Sequence, residues 1–234
     1  MNTPTKAAGP VVAAVALALA LAGCGSDSET QATSSSSSES SSASSSSAES
    51  SAPETSAAPA GKRETIADYI KANGITETPV KRGQPGTPTV DLPVPAGWQD
   101  AGPKTPQFAY SAMVFTGDPA MAADPPTIVA LMSKLTGDVD PAKIAEYAPG
   151  ELQNLPGFEG GDAKKDELGG FEAYQVGGSY LRDGVKRMIA QKTVLIPSGP
   201  DLFVLQVNAD GLEDQMGPLM DATTTIDDKT VITT

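Results

Sequence analysis

Between Ser26 and Ala60 the chain is written almost entirely in Ser, Ala, Thr, Pro and Glu, with five acids (Asp27, Glu29, Glu39, Glu49, Glu54) and no base. Such a stretch has no apolar side chains to offset the conformational entropy lost on folding, so it reads as a disordered tether. Whatever forms a core must therefore lie in residues 61–234, a length that suits one domain. Flexible chain of that tether's length spans about 33 Å r.m.s. and at most about 120 Å, enough to hold a folded body clear of a membrane surface. Its Ser and Thr clusters near Pro53 and Pro59 suit either O-linked sugar or a bare spacer.

Upstream of the tether, residues 1–23 have the layout of a secretory signal. Lys6 precedes a Val/Ala/Leu run from Val11 to Ala22, and small residues follow at the cut. The run is too short to cross a hydrocarbon core of about 30 Å as a helix. Leu21-Ala22-Gly23-Cys24 resembles the bacterial lipoprotein signal, in which diacylglycerol joins the thiol and cleavage leaves the Cys first. The competing reading is an ordinary secretory peptide with a chance Cys. Cys24 is the only Cys in the chain, which excludes disulfides and leaves no other thiol for chemistry, and its position agrees with lipidation. The expected organisation is a signal peptide at 1–23, a lipidated Cys24 and Ser-rich tether at 24–60, and an α/β domain at 61–234. The expected place is the extracytoplasmic face of the cell membrane. One acyl chain holds only marginally, whereas a diacylglyceryl group anchors firmly.

Charge and composition narrow the chemistry. The whole chain carries a net charge of −13, and residues 61–234 contain 24 acids against 15 bases. A surface that negative is repelled by phosphate backbones, so no nucleic-acid partner is expected. There is no His, which removes Ser-His-Asp triads and His-ligated zinc. No Gly-rich phosphate loop or Asp-rich calcium loop occurs, and Asp138-Val139-Asp140-Pro141 reads as a helix start with Asp140 as cap. No catalytic set, no cofactor and no metal site is expected. A hydrolase built on paired carboxylates is the residual enzymatic reading.

The folded part opens with Thr65 and Asp68 at capping-box spacing, and Asn73-Gly74 closes that helix. Residues 75–80 and 89–92 read as short strands, and Trp98 as core. Residues 108–115 and 126–135 alternate as strands, 140–147 forms a helix, and 151–161 is irregular but packs through Leu152, Leu155 and Phe158. Residues 171–180, 185–196 and 202–209 then form a hairpin-linked meander with turns at 182–184 and 197–201. Asp210 with Glu213 reads as the start of a last helix, which Pro218 splits or kinks, and 229–234 adds a final strand. Helices at both ends of a largely antiparallel sheet make an α/β sandwich.

Several of these stretches resemble the LpqN/LpqT lipoprotein family of mycobacteria. They are Thr65 to Ile70 with Thr78-Pro79-Val80, Asp91 to Pro95 with Gly97-Trp98, and the run Pro126 to Pro141. Gly150 to Phe158, Leu168 to Phe171, Val176 to Tyr180 and Gln191 to Pro197 continue the match through the folded part. The resemblance implies a Mog1/PsbP-like α/β/α sandwich, with an antiparallel sheet flanked by helices. It also implies a lipid-anchored place at the cell envelope, in association with envelope lipid or glycolipid biogenesis. It supplies no catalytic motif.

Two local features are candidate binding elements. Gly177-Gly178 interrupts a strand, which suits a bulge, a close approach by a ligand or another backbone, or a bend for sheet curvature. Arg182, Lys186 and Arg187 cluster at a hairpin, either as a solvated end or as a cradle for an anionic head group. The domain's six Met (113, 121, 132, 188, 216, 220) suit gap-filling core or an adaptable apolar surface. The expected function is a non-catalytic module, attached to the membrane through Cys24, that binds an apolar lipid or glycolipid. The alternative is an adaptor docking on envelope proteins.

Overall fold

The computed structural model describes residues 61–234. The signal peptide, Cys24 and the tether expected at 1–60 lie outside the described residues.

Helix α1 (Ile66–Ala72) opens the chain, its Thr65 and Asp68 making the expected reciprocal capping box. Strands β1 (Thr76–Pro79), β2 (Thr89–Asp91), β3 (Trp98–Asp100), β4 (Ser111–Phe115) and β5 (Thr127–Thr136) follow. Next come α2 (Pro141–Tyr147), capped by Asp140, and a single turn, α3 (Gly150–Gln153). Two short strands, β6 (Glu159–Gly160) and β7 (Lys164–Leu168), precede the long meander β8 (Phe171–Arg182), β9 (Val185–Ser198) and β10 (Asp201–Leu212). Helix α4 (Met216–Lys229) and strand β11 (Val231–Thr233) complete it.

Nine strands form one sheet in the order β3-β4-β5-β10-β9-β8-β6, with β1 also on β5 and β7 also on β8. Every pairing is antiparallel. The β8–β9 hairpin closes through Arg182 opposite Val185, with Asp183 at φ 54° and Gly184 at φ 76°. Two positive φ values make a type I′ turn, whose twist matches that of the strands. The meander is joined to the rest by β10 on β5, from Asp210 opposite Thr127 to Leu202 opposite Leu135.

Period-two alternation along β10 splits the interior into two layers. Phe203, Leu205, Val207 and Ala209 face one way, toward Leu219, Ala222 and Ile226 of α4 and toward Val90, Leu92 and Ile232 near the β2–β11 ribbon. Leu202 and Val204 face the other way, with Leu135 and Leu195, beneath Ile66 and Ile70 of α1 and Ile144 of α2. Helices on both faces of an antiparallel sheet bear out the expected α/β fold. Trp98 is buried, edge-on to Phe115 at 5.6 Å between ring centroids, as core packing requires.

Three expectations need correcting. Asp210 does not cap the last helix: it stays in β10, and Gln215 serves that end by accepting from the Leu212 N–H at 2.8 Å. Pro218 does not split α4, because it sits in the first turn, where its missing N–H has no partner to lose. Residues 151–161, expected to be irregular, begin in the helical turn α3 and end in the short strand β6; beyond them the charged run Lys164 to Leu168 lies along β8 as a strand at the sheet's edge.

Candidate functional site

A strand in mid-sheet with both faces covered is ordinarily a run of Val, Ile and Leu. Val194 to Ile196 of β9 follow that rule, but Arg187, Gln191, Lys192 and Thr193 upstream are buried as well. Opposite them β10 turns polar at the same level: Gln206 lies beside Thr193, Asn208 beside Gln191 and Asp210 beside Ile189. The two central strands thus have an apolar half beneath α1 and α2 and a polar half beyond them. Such a departure from local pattern makes this the candidate functional surface.

On the α1/α2 face this polar half is floored by Val129 and Leu131 of β5, Gln206 and Asn208 of β10 and Ile189 of β9, all half-buried. Val176 of β8 lies beside Gln191 and is buried. No residue of this floor belongs to either hydrophobic cluster. The Gln191 amide donates to Asn208 Oδ1 at 2.9 Å, leaving its own carbonyl oxygen Oε1 buried without a partner, and Thr193 Oγ1 is likewise unpartnered. From α3, Glu151 reaches down to the same level, where Gln206 Nε2 lies 3.4 Å from Oε2. Burial pushes the Glu151 carboxyl above the usual carboxylate range. Hydrogen bonds from Gln206 and Gln191 pull the other way, and the Glu77 charge adds to the rise. The surface therefore mixes aliphatic side chains with amides, a half-buried carboxyl and two free acceptors. Hydroxyl groups beside a hydrocarbon chain would match it.

The basic residues singled out in the sequence behave differently from a solvated hairpin end. Arg187 is buried at 3 % exposure, with Nε donating to Asp210 at 2.9 Å and Nη1 to Asp124 at 2.6 Å. Burial opposes its charge, but the two carboxylates outweigh that and raise its pKa. Tyr180 donates to Asp210 at 2.6 Å, and its own pKa is pushed up to about 12 by burial and then by that carboxylate. Arg182 adds a longer contact to Asp210 at 3.6 Å. Arg187 is thus already neutralised. It pins the segment carrying Asp124 to the sheet, which is a structural task. Lys186 lies outermost, near Glu159 and Glu213.

Gly177 and Gly178 make no bulge, since β8 keeps an unbroken register with β9 from Ala173 to Arg182. A Cβ at Gly178 would overlap the Glu159 carbonyl oxygen of β6. Among the readings the sequence allowed, close approach by another backbone is the one observed for Gly178. At Gly177 a Cβ would stand 3.3 Å from the Ile189 carbonyl oxygen.

On the opposite face Lys192, 7 % exposed, holds Asp166 of β7 at 2.7 Å and Asp227 of α4 at 2.6 Å. An open cleft of about 420 Å³ lies between α2, α3 and Tyr174, with Arg63, Glu146 and Asp162 at its rim. Sequence reading missed Glu151, Gln191, Gln206 and Asn208. The signal that finds the three amides is Gln and Asn at alternate positions of otherwise apolar strands, Gln191 with Thr193 and Gln206 with Asn208, whereas nothing local singles out Glu151.

Comparison with known proteins follows from this fold. The family model described as "Probable lipoprotein LpqN" matches residues 62–233. Lipoprotein LpqN of Mycobacterium tuberculosis is 57% identical over 175 residues, covering 74% of this chain and 76% of that protein. A "Putative lipoprotein LpqT" of Mycobacterium leprae is 26% identical over 135 residues, 58% of this chain and 59% of that one. Among solved structures, the crystal structure of LpqN, described as involved in cell envelope biogenesis of Mycobacterium tuberculosis, superposes with a TM-score of 0.71 at 55% identity. It covers 74% of this chain and 100% of the crystallised one. The chain belongs to the LpqN family of lipoproteins.

Proposed function

We propose that this protein is a lipid-anchored, non-catalytic binding module of the cell envelope. It holds an amphiphile, a lipid or glycolipid, on the polar half of its α1/α2 sheet face. The observation that carries this reading is the mixed surface itself. Val129, Leu131 and Ile189 offer hydrocarbon contact beside Gln206 and Asn208, above two buried acceptors that lack partners. An unsatisfied buried acceptor costs about 1–3 kcal/mol, and a ligand hydroxyl that reached it would recover part of that. Kinship with LpqN, described as involved in cell envelope biogenesis, supports the place. Relatives named as lipoproteins rather than by a reaction, and a chain without His, support binding over catalysis. Attachment in this reading is through Cys24, whose setting Leu21-Ala22-Gly23-Cys24 resembles the lipoprotein signal.

Native mass spectrometry of residues 61–234, isolated from the protein's own host, tests the reading. The LpqN family model matches residues 62–233 of it. The expected result is a lipid or glycolipid adduct, and binding of a medium-chain alkyl glycoside in solution. Ile189→Asp should weaken that binding about tenfold or more, because it puts a charge where the alkyl chain rests. A bare mass from the native host together with no alkyl-glycoside binding overturns the proposal.

A further inference from the structure

Helix α3 is one turn long, and its N-cap Pro149 makes no side-chain cap bond. A four-residue helix does not hold itself together in water, so something outside it must fix its place. That something is the chain just before α1. The side chain of Asn154, at the C-cap of α3, pairs with the Arg63 backbone in both directions. Its Oδ1 accepts from the Arg63 N–H and its Nδ2 donates to the Arg63 carbonyl oxygen, both at 2.8 Å. At the other end of α3, a Cβ on Gly150 would overlap the Glu64 carbonyl oxygen and stand 3.3 Å from Thr65 Cα. Residues 63–65 thus cross α3 in contact with both of its ends.

Beneath α3 the balance runs against closure. Glu151 is withdrawn from water toward the Gln206 and Gln191 amides, the Glu77 carboxylate bears on it with like charge, and no cation pairs with it among the described residues. Thr193 Oγ1, opposite Gln206 in the register, and Gln191 Oε1, opposite Asn208, are buried without partners. Glu151 and the Gln191 amide it meets gain hydration if α3 lifts.

We propose that residues 63–65 are a strap that keeps α3 closed over the polar half of the binding face, so that access to that face is governed by the segment through which the domain is attached. This rests on the binding reading given above and names how the site is regulated. Asn154 is the positioning residue of the strap. Gly150 is the seat that lets the strap lie flat, and Glu151 is the group that pushes the cover open. Its ionisation above the raised carboxyl pKa favours the open form, so opening increases as pH rises.

Amide hydrogen exchange on the purified full chain tests the strap without any ligand. Asn154→Leu removes both bonds to Arg63, and Asn154→Asp removes only the donor to the Arg63 carbonyl. Exchange in residues 150–155 should quicken by about tenfold in the first and less in the second, with β9 and β10 unchanged. Glu151→Gln should raise the protection of the same segment and abolish the pH dependence of that protection, taken relative to the intrinsic exchange rate at each pH, an effect that simple loss of structure cannot produce. Arg63→Ala, which spares the backbone bonds, should leave exchange as in the unaltered chain. Binding of an alkyl glycoside, measured on the same variants, should tighten in Asn154→Leu and weaken in Glu151→Gln. Unchanged exchange at 150–155 in both Asn154 variants overturns the strap, as does acceleration spread equally over β9 and β10. Failure of the unaltered chain to bind any amphiphile overturns the binding reading instead, and the exchange result still decides the strap.

Discussion

At the scale of single residues, the sharpest consequences belong to groups buried against their chemistry. Glu151 has its carboxyl raised above the usual range chiefly by burial. In the folded state it therefore holds its proton at pH values where the unfolded chain has released it. The stability linked to that proton is fully present below the ordinary Glu value and is lost as pH rises through the folded one. Glu151→Gln should accordingly match the parent in acid and exceed it at neutral pH, by about 1 kcal/mol, the scale of one poorly paired buried polar group. Thermal unfolding measured from pH 4 to pH 8 checks both the sign and the pH dependence. Arg187 is the contrasting case. Its charge is as buried as a core Leu, yet two carboxylates and a tyrosine-linked network satisfy it, so it contributes geometry and not a binding handle.

Elements are joined here by a few charged ties across otherwise apolar seams. Lys192 of β9 links α4 through Asp227 and the edge strand β7 through Asp166. Removing one partner of a buried ion cluster strands the others. Because Asp166 and Asp227 keep 40% and 37% of their side chains exposed, water offsets part of that. Lys192→Ala should cost about 3 kcal/mol, at the low end for a broken buried pair, and loosen α4 and β7 first. Denaturant unfolding with segment-resolved hydrogen exchange measures both. The Lys192 hydrogen bond holds Asp166 below the usual carboxylate range, so the tie persists above that range and is lost as pH falls through the depressed value. In acid, Lys192→Ala and the parent should converge.

For the molecule as a whole, the proposed place and purpose hang on the lipid expected at Cys24, outside the described residues. If Cys24 carries the lipid, the full chain partitions into the detergent phase of a temperature-induced phase split, and Cys24→Ser moves it to the aqueous phase. A parent chain found in the aqueous phase would remove the anchor and the reading built on it. The described domain supplies the complementary half: a nine-stranded antiparallel sheet with helices on both faces, one of them only partly covered.

How much of this was legible beforehand follows from the range of the forces involved. Caps, turns and alternation are local. The Thr65–Asp68 box, the Asp140 cap, the Asp183-Gly184 turn and the long strands could therefore be read from neighbours in the chain, as could the exclusion of His-based chemistry. Sequence alone also carried the family resemblance, because strings such as Pro126 to Pro141 are specific. Register between distant strands is not local. That Gln191 meets Asn208, that Asp210 stays in β10 to receive Arg187, and that Gly178 yields to β6 depended on which strands pair. So did the seating of Arg63 on Asn154, ninety-one residues apart. Only the closed tertiary structure decided which polar side chains would be shut away from water and which partners they would find there, because burial is a property of the assembled layers and not of any segment.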